Sequence, residues 1–269
     1  MTDSSTCLPG ELVASLGILV LPISTHLPET GPEGFDEPDP EWELPEALEH
    51  AELSGANHPF VTEYLQAMES PGYDAAVVVT PAIEFATMYR NALIAAELTS
   101  RPVATIDART AAAGQALVVL AGAEAARGGG SLEEVVRVVE DASRRVELVA
   151  ALSSLDSIRR NGPVPDEVLH SDDTPGTRSV FRMRDGIVEP LGGATTADEA
   201  LLTIRRAFDE HHGSGIERST VFHAGASQLA AQLAVLLGPV DFISGFSVAM
   251  QVHTGRGVVG AAWLPRAAA

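Results

Sequence analysis

The residues best suited to ligand chemistry lie in a short motif near the end of the sequence. His253-Thr-Gly-Arg-Gly257 separates two apolar stretches, and its glycines allow the backbone to approach a ligand closely. An imidazole, a hydroxyl and backbone amides can bind an anion together, which makes His253, Thr254 and Gly255 candidate binding residues. The alternative is a structural turn, and the motif alone does not decide between the two.

A second set of candidates follows two predicted strands. The β-branched run Asp74–Thr80 predicts a buried strand that stops at Pro81, and Val103–Ile106 predicts another. The helical spacing of apolar residues over Phe85–Leu98 favours parallel pairing of these strands with a right-handed crossover. Ligands of parallel sheets lie beyond the carboxyl ends of the strands, which here are Thr80 with Pro81 and the turn Asp107–Thr110.

Composition excludes several classes of function. The net charge of −20 and the pI of about 4.6 argue against nucleic acid and anionic membranes as partners. The chain has no lysine, so it lacks the residue that forms Schiff bases and the lysine of a Walker-type phosphate loop. Cys7 is the only cysteine, which excludes an internal disulfide and a cysteine-based zinc site. We therefore expect neither a metal nor a cofactor.

Common enzyme and membrane signatures are also missing from the sequence. It contains no G-x-S-x-G, H-E-x-x-H or P-loop motif. No apolar run reaches the length of a membrane span, and no signal peptide is visible. We therefore expect a cytoplasmic protein.

The length of the chain favours two domains. We predict an N-terminal α/β domain over residues 1–160, with a mostly parallel sheet and flanking helices. Residues 161–269 are predicted to form an α+β domain. Its signals include a hairpin at Arg184-Asp185-Gly186 and an apolar run, Phe246–Val252, that predicts a strand.

An acidic segment lies near the start of the chain. Residues 29–52 hold ten acidic residues, four prolines and no arginine. Charge runs of this kind usually form solvated loops. The alternative is a lid or a docking segment for a partner.

Four stretches resemble the DegV family of fatty-acid-binding proteins. Thr2–Pro9 resembles the family's amino-terminal T-D-S-T-A-D-L-P motif, and Val103–Gly114 resembles its D-S-x-x-x-S-x-G segment. Leu155–Pro163 is similar to its L-x-x-L-x-x-G-G-R stretch, and Val252–Gly257 is similar to its closing H-T-G-P-G. Each motif alone is weak, but the four occur in the family's order over nearly the whole chain.

The resemblance implies two α/β domains with one long-chain fatty acid in a cleft between them. The acyl chain is then buried, and the carboxylate is held by hydroxyl and histidine groups at the mouth. The implied carboxylate-binding residues are Ser54, Thr80 and His253, and the implied cleft-lining residues are Ser4, Pro81, Thr254 and Gly255.

The resemblance also implies a carrier and not an enzyme. In the better-known branch of the family, the fatty acid is presented to a dihydroxyacetone-kinase-like fatty-acid kinase, which makes acyl phosphate. Here Pro163 replaces the arginine of G-G-R, and the family's K-P pair is absent around Arg182, so positions implicated in meeting the kinase are lost. The alternative is an enzyme acting on an acyl or phosphoryl substrate, with His253 as general base and Asp3 or Ser4 as its partner.

The resemblance further concerns the start of the chain. Family members carry an apolar strand directly before the T-D-S motif, and Met1 occupies the last position of that strand. A sheet built around Val77 and Val103 would expose unpaired backbone groups without it. We therefore expect the native chain to begin several residues upstream. The alternative is that Ile18–Ile23 covers the gap.

Overall fold

A computed structural model of the chain describes residues 1–23, 59–84, 87–160, 168, 176–211 and 215–267. Its strands are β1 (Thr2–Asp3), β2 (Val20–Leu21), β3 (Ala76–Thr80), β4 (Val103–Asp107), β5 (Glu147–Leu152), β6 (Arg178–Arg184), β7 (Ile187–Ala194), β8 (Ile216–His223), β9 (Phe242–Gly245) and β10 (Val259–Pro265). Its helices are α1 (Gly10–Leu16), α2 (Val61–Met68), α3 (Met88–Leu98), α4 (Ala112–Arg127), α5 (Leu132–Arg145), α6 (Asp156–Arg160), α7 (Ala197–Asp209), α8 (Ser227–Leu237) and α9 (Val248–Thr254). A 3-10 turn, Ser4–Thr6, follows β1 directly.

The amino-terminal strands form a small parallel sheet. β1 pairs with β2, and β3 pairs with β4, both in parallel as predicted for β3 and β4. Met1 joins the two pairs, because its ammonium donates to Val77 O at 2.9 Å and its carbonyl accepts from Val79 N at 2.9 Å. The resulting order is β2-β1-β3-β4, with the short β1 in the interior.

A cavity borders Met1 and lies between the elements that flank β1. Its volume is about 430 Å³, and Leu19, Val77, Val119 and Val135 contribute to its lining. β2 pairs with β1 beyond Met1 and leaves this space open. Burial lowers the pKa of the Met1 ammonium to about 6, because a charged amine is poorly solvated there.

The second sheet has six strands in the order β7-β6-β5-β10-β8-β9. Neighbours are antiparallel except for β8 and β9, and the predicted hairpin at Arg184-Asp185-Gly186 joins β6 to β7. Trp263 is fully buried on the face covered by α7 and α8, where the Phe208 ring meets it edge-on at 5.3 Å. The α/β prediction, with a parallel sheet in the first part and an α+β second part, is confirmed.

The helix α4 lies between the two sheets and contacts β3 on one side and β5, β8 and β10 on the other. Its small residues permit this close packing, since a Cβ on Gly122 would lie 2.4 Å from Val139 Cγ2 of α5. α5 begins after a capping box at Ser131, where Glu134 N donates to Ser131 Oγ at 3.3 Å and Ser131 N donates to Glu134 Oε2 at 2.8 Å. None of the described helices has the length and apolar character needed to span a membrane.

The predicted strand over Phe246–Val252 is wrong, because this segment leads into the helix α9. Ser247 caps the helix, its Oγ accepting from Met250 N at 3.4 Å, and Gly255 with φ of +80° ends it. An apolar run of this length fits one face of a helix as well as a buried strand, and periodicity alone does not separate them. His253 consequently lies in the last turn of a helix and not in a turn between strands.

The predicted domain boundary near residue 160 stays a prediction. β5 lies on its amino-terminal side, yet it belongs to the six-stranded sheet and pairs with β6 and β10. The acidic segment 29–52 lies outside the described residues.

Candidate functional site

The carboxyl ends of β3 and β4 lie at one edge of the parallel sheet, as their shared direction requires. Hydrogen bonds join the loop that follows β3 to the loop that follows β4. Ala108 N donates to Thr80 O at 3.0 Å, and Ala82 N donates to Thr110 O at 2.8 Å. Each loop therefore supports the other, and both threonines are fixed along this edge.

Two threonine hydroxyls at this edge are buried without a hydrogen-bond partner among the described residues. Thr80 and Thr110 are both 0% exposed, and neither Oγ1 has a hydrogen-bond partner within the described part of the chain. An unbonded buried hydroxyl costs about 1–3 kcal/mol, so such a group in a native protein marks a position for a ligand or a water. Pro81 is buried directly after Thr80. The sequence singled out Thr80, whereas Thr110 was only part of a predicted turn.

Ser4 occupies the carboxyl end of the neighbouring strand β1. It is buried in the 3-10 turn, and its Oγ accepts from Ile23 N at 2.8 Å, which ties the end of β1 to the segment after β2. The hydroxyl hydrogen of Ser4 has no acceptor among the described residues, so it can donate to a ligand. The resemblance assigned Ser4 to the cleft lining, and its position next to β3 agrees with a site at this edge.

The helix α9 is anchored to the same region. Ala249 packs against Ile23 and Met88 in a small buried cluster, and Ile23 is the residue bonded to Ser4. His253 follows Ala249 by four residues, so both lie on one side of α9. His253 is half-buried and lies in the last turn of α9.

The cap of α9 is tied to the turn after β1 by Cys7. The thiol of Cys7 is 1% exposed and lies within hydrogen-bond distance of Ser5 O at 3.6 Å and Ser4 O at 3.8 Å, and it also interacts with Ser247, the residue that caps α9. Burial raises the pKa of this thiol to about 12, although the bonds to Ser247 oppose the shift. Cys7 is therefore a packing residue and not a nucleophile.

Side chains of the protein occupy the space beside Gly255 and Gly257 in the loop after α9. A Cβ on Gly255 would lie 2.9 Å from Ser157 Oγ, and one on Gly257 would lie 3.0 Å from Ser153 Oγ. Gly257 N donates to a backbone carbonyl at 2.7 Å, and Gly255 N donates to the carbonyl of the preceding helical turn at 2.8 Å. Thr254 Oγ1 also donates within the helix, to a carbonyl at 2.8 Å. The amides expected to bind an anion are thus used by the fold, which leaves His253 as the candidate donor of this motif.

A contact between the two sheets lies beside the same edge. Arg109, in the turn after β4, forms an ion pair with Asp185, and Gly186 N donates to Arg109 O at 2.9 Å. Asp107 Oδ1 accepts from Arg109 N at 2.8 Å. Burial raises the pKa of the Asp107 carboxyl, and the nearby charge of Glu84 raises it further. The hairpin at Asp185 was predicted from the sequence, but its contact with the turn that holds Arg109 was not.

The structure therefore places Ser4, Thr80 and the helix that carries His253 around one region. Ser54 lies outside the described residues, and its assignment to the carboxylate stays a prediction. Thr110 joins the candidates because of its unbonded hydroxyl. The arrangement offers hydroxyl donors and an imidazole, which is the donor set that a carboxylate requires.

A family model described as "Uncharacterised protein, DegV family" matches residues 1–266. A DegV domain-containing protein of Streptomyces coelicolor is 25% identical over 270 residues, which cover 97% of this chain and 95% of the relative. A DegV domain-containing protein of Clostridium perfringens is 22% identical over 98% of this chain and 97% of its own.

Solved structures of similar fold include proteins described as lipid binding. A DegV family protein from Thermus thermophilus, whose description reports fatty acid binding, superposes with a TM-score of 0.85 at 22% identity, over 98% of both chains. DegV from Bacillus subtilis, described as a fatty acid binding protein, gives 0.80 at 20% identity over 98% of both chains. A stearic acid-binding protein from Eubacterium ventriosum gives 0.78 at 18% identity, over 98% of this chain and 97% of that one.

The motif order seen in the sequence, the architecture of a parallel sheet beside a mixed six-stranded sheet, and a family match that spans residues 1–266 lead to one assignment. This chain belongs to the DegV family.

Proposed function

We propose that this chain binds one long-chain fatty acid, with the carboxylate at the edge formed by Ser4, Thr80 and α9. The observation that carries the proposal is the Thr80 hydroxyl, which is fully buried at the carboxyl end of β3 with no partner among the described residues. A ligand carboxylate would accept from this hydroxyl and from Ser4, while His253 contributes a third donor. The fatty acids named in the descriptions of related structures supply the ligand class.

The physical chemistry of a fatty acid suits such a site. Each methylene removed from water contributes about 0.8 kcal/mol, so the tail supplies most of the affinity. The carboxylate then needs only a few well-placed donors to fix its orientation. A lysine-free site does this with hydrogen bonds and an imidazole, since the chain has no lysine to supply a side-chain ammonium.

The candidates for catalysis are engaged elsewhere, which supports a carrier over an enzyme. Asp3 accepts hydrogen bonds from Ser5 and Gln115, and the Oγ of Ser4 accepts from Ile23 N at 2.8 Å. An enzyme with His253 as general base would need one of these groups as its acid or nucleophile. Their existing bonds suit positioning and donation to a ligand.

The proposal extends to a partner. By resemblance, the bound fatty acid would be presented to a dihydroxyacetone-kinase-like fatty-acid kinase. Arg182, which lies where the family's K-P pair is missing, is buried and donates to Glu210 Oε2 at 2.8 Å, so its charge is already paired with the residue that ends α7. Incubation of the lipid-loaded protein with such a kinase and ATP tests this step, and acyl phosphate is the product to measure.

The binding proposal is tested first by mass spectrometry of lipid extracted from the purified protein, which should reveal a fatty acid. His253→Ala should then weaken binding of that fatty acid to the delipidated protein by about one to two orders of magnitude, because a hydrogen bond to a charged group contributes about 1.5–3 kcal/mol. Gln232→Ala, on the exposed face of α8, is the control and should retain full affinity. Equal affinities for the His253 variant and the unmodified protein would reject this role of the imidazole.

A further inference from the structure

The carboxyl group of Asp3 lies in a closed hydrogen-bond network beneath the candidate site. Asp3 is 0% exposed, and its Oδ1 accepts from Ser5 N at 3.0 Å and contacts Ser5 Oγ. Gln115 Nε2, from α4, donates to Asp3 Oδ2 at 3.2 Å, to Thr2 Oγ1 at 3.0 Å and toward Val79 O at 3.4 Å. Ser5 Oγ also lies 3.1 Å from Gln115 Oε1. The network therefore links β1, the 3-10 turn, β3 and α4.

The orientation of the Gln115 amide follows from its neighbours. Val79 O accepts only, and Thr2 Oγ1 already donates its hydrogen to Val79 O at 2.9 Å. The amide nitrogen must face these acceptors, so Oε1 must face Ser5 Oγ. Oε1 has no hydrogen of its own, and the bond at 3.1 Å therefore requires the hydroxyl hydrogen of Ser5.

The number of hydrogens available to Ser5 Oγ bears on the protonation state of Asp3. Ser5 has one hydroxyl hydrogen, yet its Oγ contacts both Asp3 Oδ1 and Gln115 Oε1. If Asp3 were ionised, one of these two contacts would have no hydrogen between its oxygens. A proton on Asp3 Oδ1 closes the chain, because Asp3 then donates to Ser5 and Ser5 donates to Gln115.

We propose that Asp3 is held as a neutral carboxylic acid in the native protein. In this state it positions Ser4, and the ligand carboxylate reaches Ser4 without meeting a second negative charge. Burial supports this state, since desolvation is the dominant influence on Asp3 and raises the pKa of its carboxyl. No cation pairs with Asp3 among the described residues, so an ionised form would be a buried charge supported only by the hydrogen bonds from Ser5 and Gln115, which oppose the effect of burial without reversing it. The part of the proposal that concerns the ligand rests on the proposed function, whereas the protonation state does not.

The groups that face Asp3 do not supply a counter-charge. Tyr64 on α2 is fully buried, and its pKa is raised by burial and then by the negative charge that Asp3 would carry. The same negative charge would also raise the pKa of the Cys7 thiol, which lies in the turn after β1. The ammonium of Met1 lies just before β1, but it donates to Val77 O, and burial lowers its pKa. A neutral Asp3 avoids placing a second negative charge beside a ligand carboxylate held by Ser4.

The protonation state is tested in the lipid-free protein by urea unfolding as a function of pH. The pKa of Asp3 is raised in the folded state, so its contribution to stability is complete below the unfolded pKa and is lost as pH rises through the folded pKa. The unfolding midpoint of Asp3→Asn should therefore equal that of the unmodified protein below the unfolded pKa of about 3.9, and exceed it by a growing margin as pH rises from there toward the folded pKa. An Asp3→Asn midpoint that falls below that of the unmodified protein as pH rises through the acid range, and stays below it at neutral pH, would overturn the proposal.

Infrared spectroscopy of the unmodified protein gives an independent test that needs no variant to fold. A protonated carboxyl stretch should persist at neutral pH, where exposed carboxylates are ionised. Its absence would overturn the neutral state.

The role toward the ligand is tested by titration with dodecanoate at neutral pH and above, where this probe is ionised throughout. Affinity should fall by ~10-fold or more as Asp3 ionises, while Asp3→Asn should show no such fall. Asp198→Asn, an exposed carboxylate on the first turn of α7, is the matched control and should keep the pH profile of the unmodified protein. Identical profiles for all three proteins would overturn the positioning role. Failure of every protein to bind dodecanoate would instead count against the proposed function, and the unfolding and infrared results would still decide the state of Asp3.

Discussion

Thr80→Val should change stability and affinity in opposite directions. The substitution replaces a fully buried hydroxyl that has no partner in the described chain with a methyl group of nearly the same shape. In the lipid-free protein this removes an unsatisfied polar group, and we expect stabilisation by about 1 kcal/mol. In the complex it removes a hydrogen bond to a charged carboxylate, so affinity should fall by about 10- to 150-fold. A residue that served only packing would shift both quantities in the same direction or neither.

A matched control lies on the neighbouring strand. Thr105 Oγ1 is also buried without a partner in the described chain, but Thr105 pairs with Val78, two residues before the end of the strand. Thr105→Val should stabilise the protein by a similar amount and leave affinity unchanged. Urea unfolding of delipidated protein measures the first quantity, and calorimetric titration with the fatty acid that co-purifies measures the second. Unchanged affinity for Thr80→Val, or a clear loss of stability without lipid, would refute the reasoning about this hydroxyl.

Two further predictions concern packing and pH. Gly122→Ala should destabilise the protein by about 1–3 kcal/mol, because its Cβ would lie 2.4 Å from Val139 Cγ2, whereas Gly10→Ala, with nothing within 4 Å, should be neutral or stabilising in the same urea measurement. The Met1 ammonium has a folded pKa of about 6 against an ordinary value of 8.0, so the unfolded chain binds more protons between these values. The free energy of unfolding should therefore rise by up to about 2.7 kcal/mol as pH increases across this interval. Acetylation of Met1, or apolar residues placed before it in the adjacent cavity, should abolish that slope, and a slope that persists would contradict the assignment.

The sequence alone determined the elements that depend on neighbours a few residues away. The β-branched run before Pro81 predicted β3. The turn Arg184-Asp185-Gly186 predicted the hairpin of β6 and β7. These signals are local, because chain reversal and strand propensity act within one or two turns of the backbone. The order of four motifs likewise identified the family from the sequence.

The tertiary structure decided whether polar groups are satisfied. Asp3 and Gln115 are separated by 112 positions, and Arg109 and Asp185 by 76, yet each pair is in contact. Hydrogen-bond satisfaction, burial and charge depend on all the groups that folding brings around an atom, so a linear pattern cannot reveal that the Thr80 hydroxyl lacks a partner among the described residues or that Asp3 is buried beside Ser5 and Gln115. The same reason explains α9, since an apolar run records that a segment is buried but not which backbone conformation buries it. Residue types and local elements were thus readable from the sequence, while the network that surrounds the candidate site exists only in the folded chain.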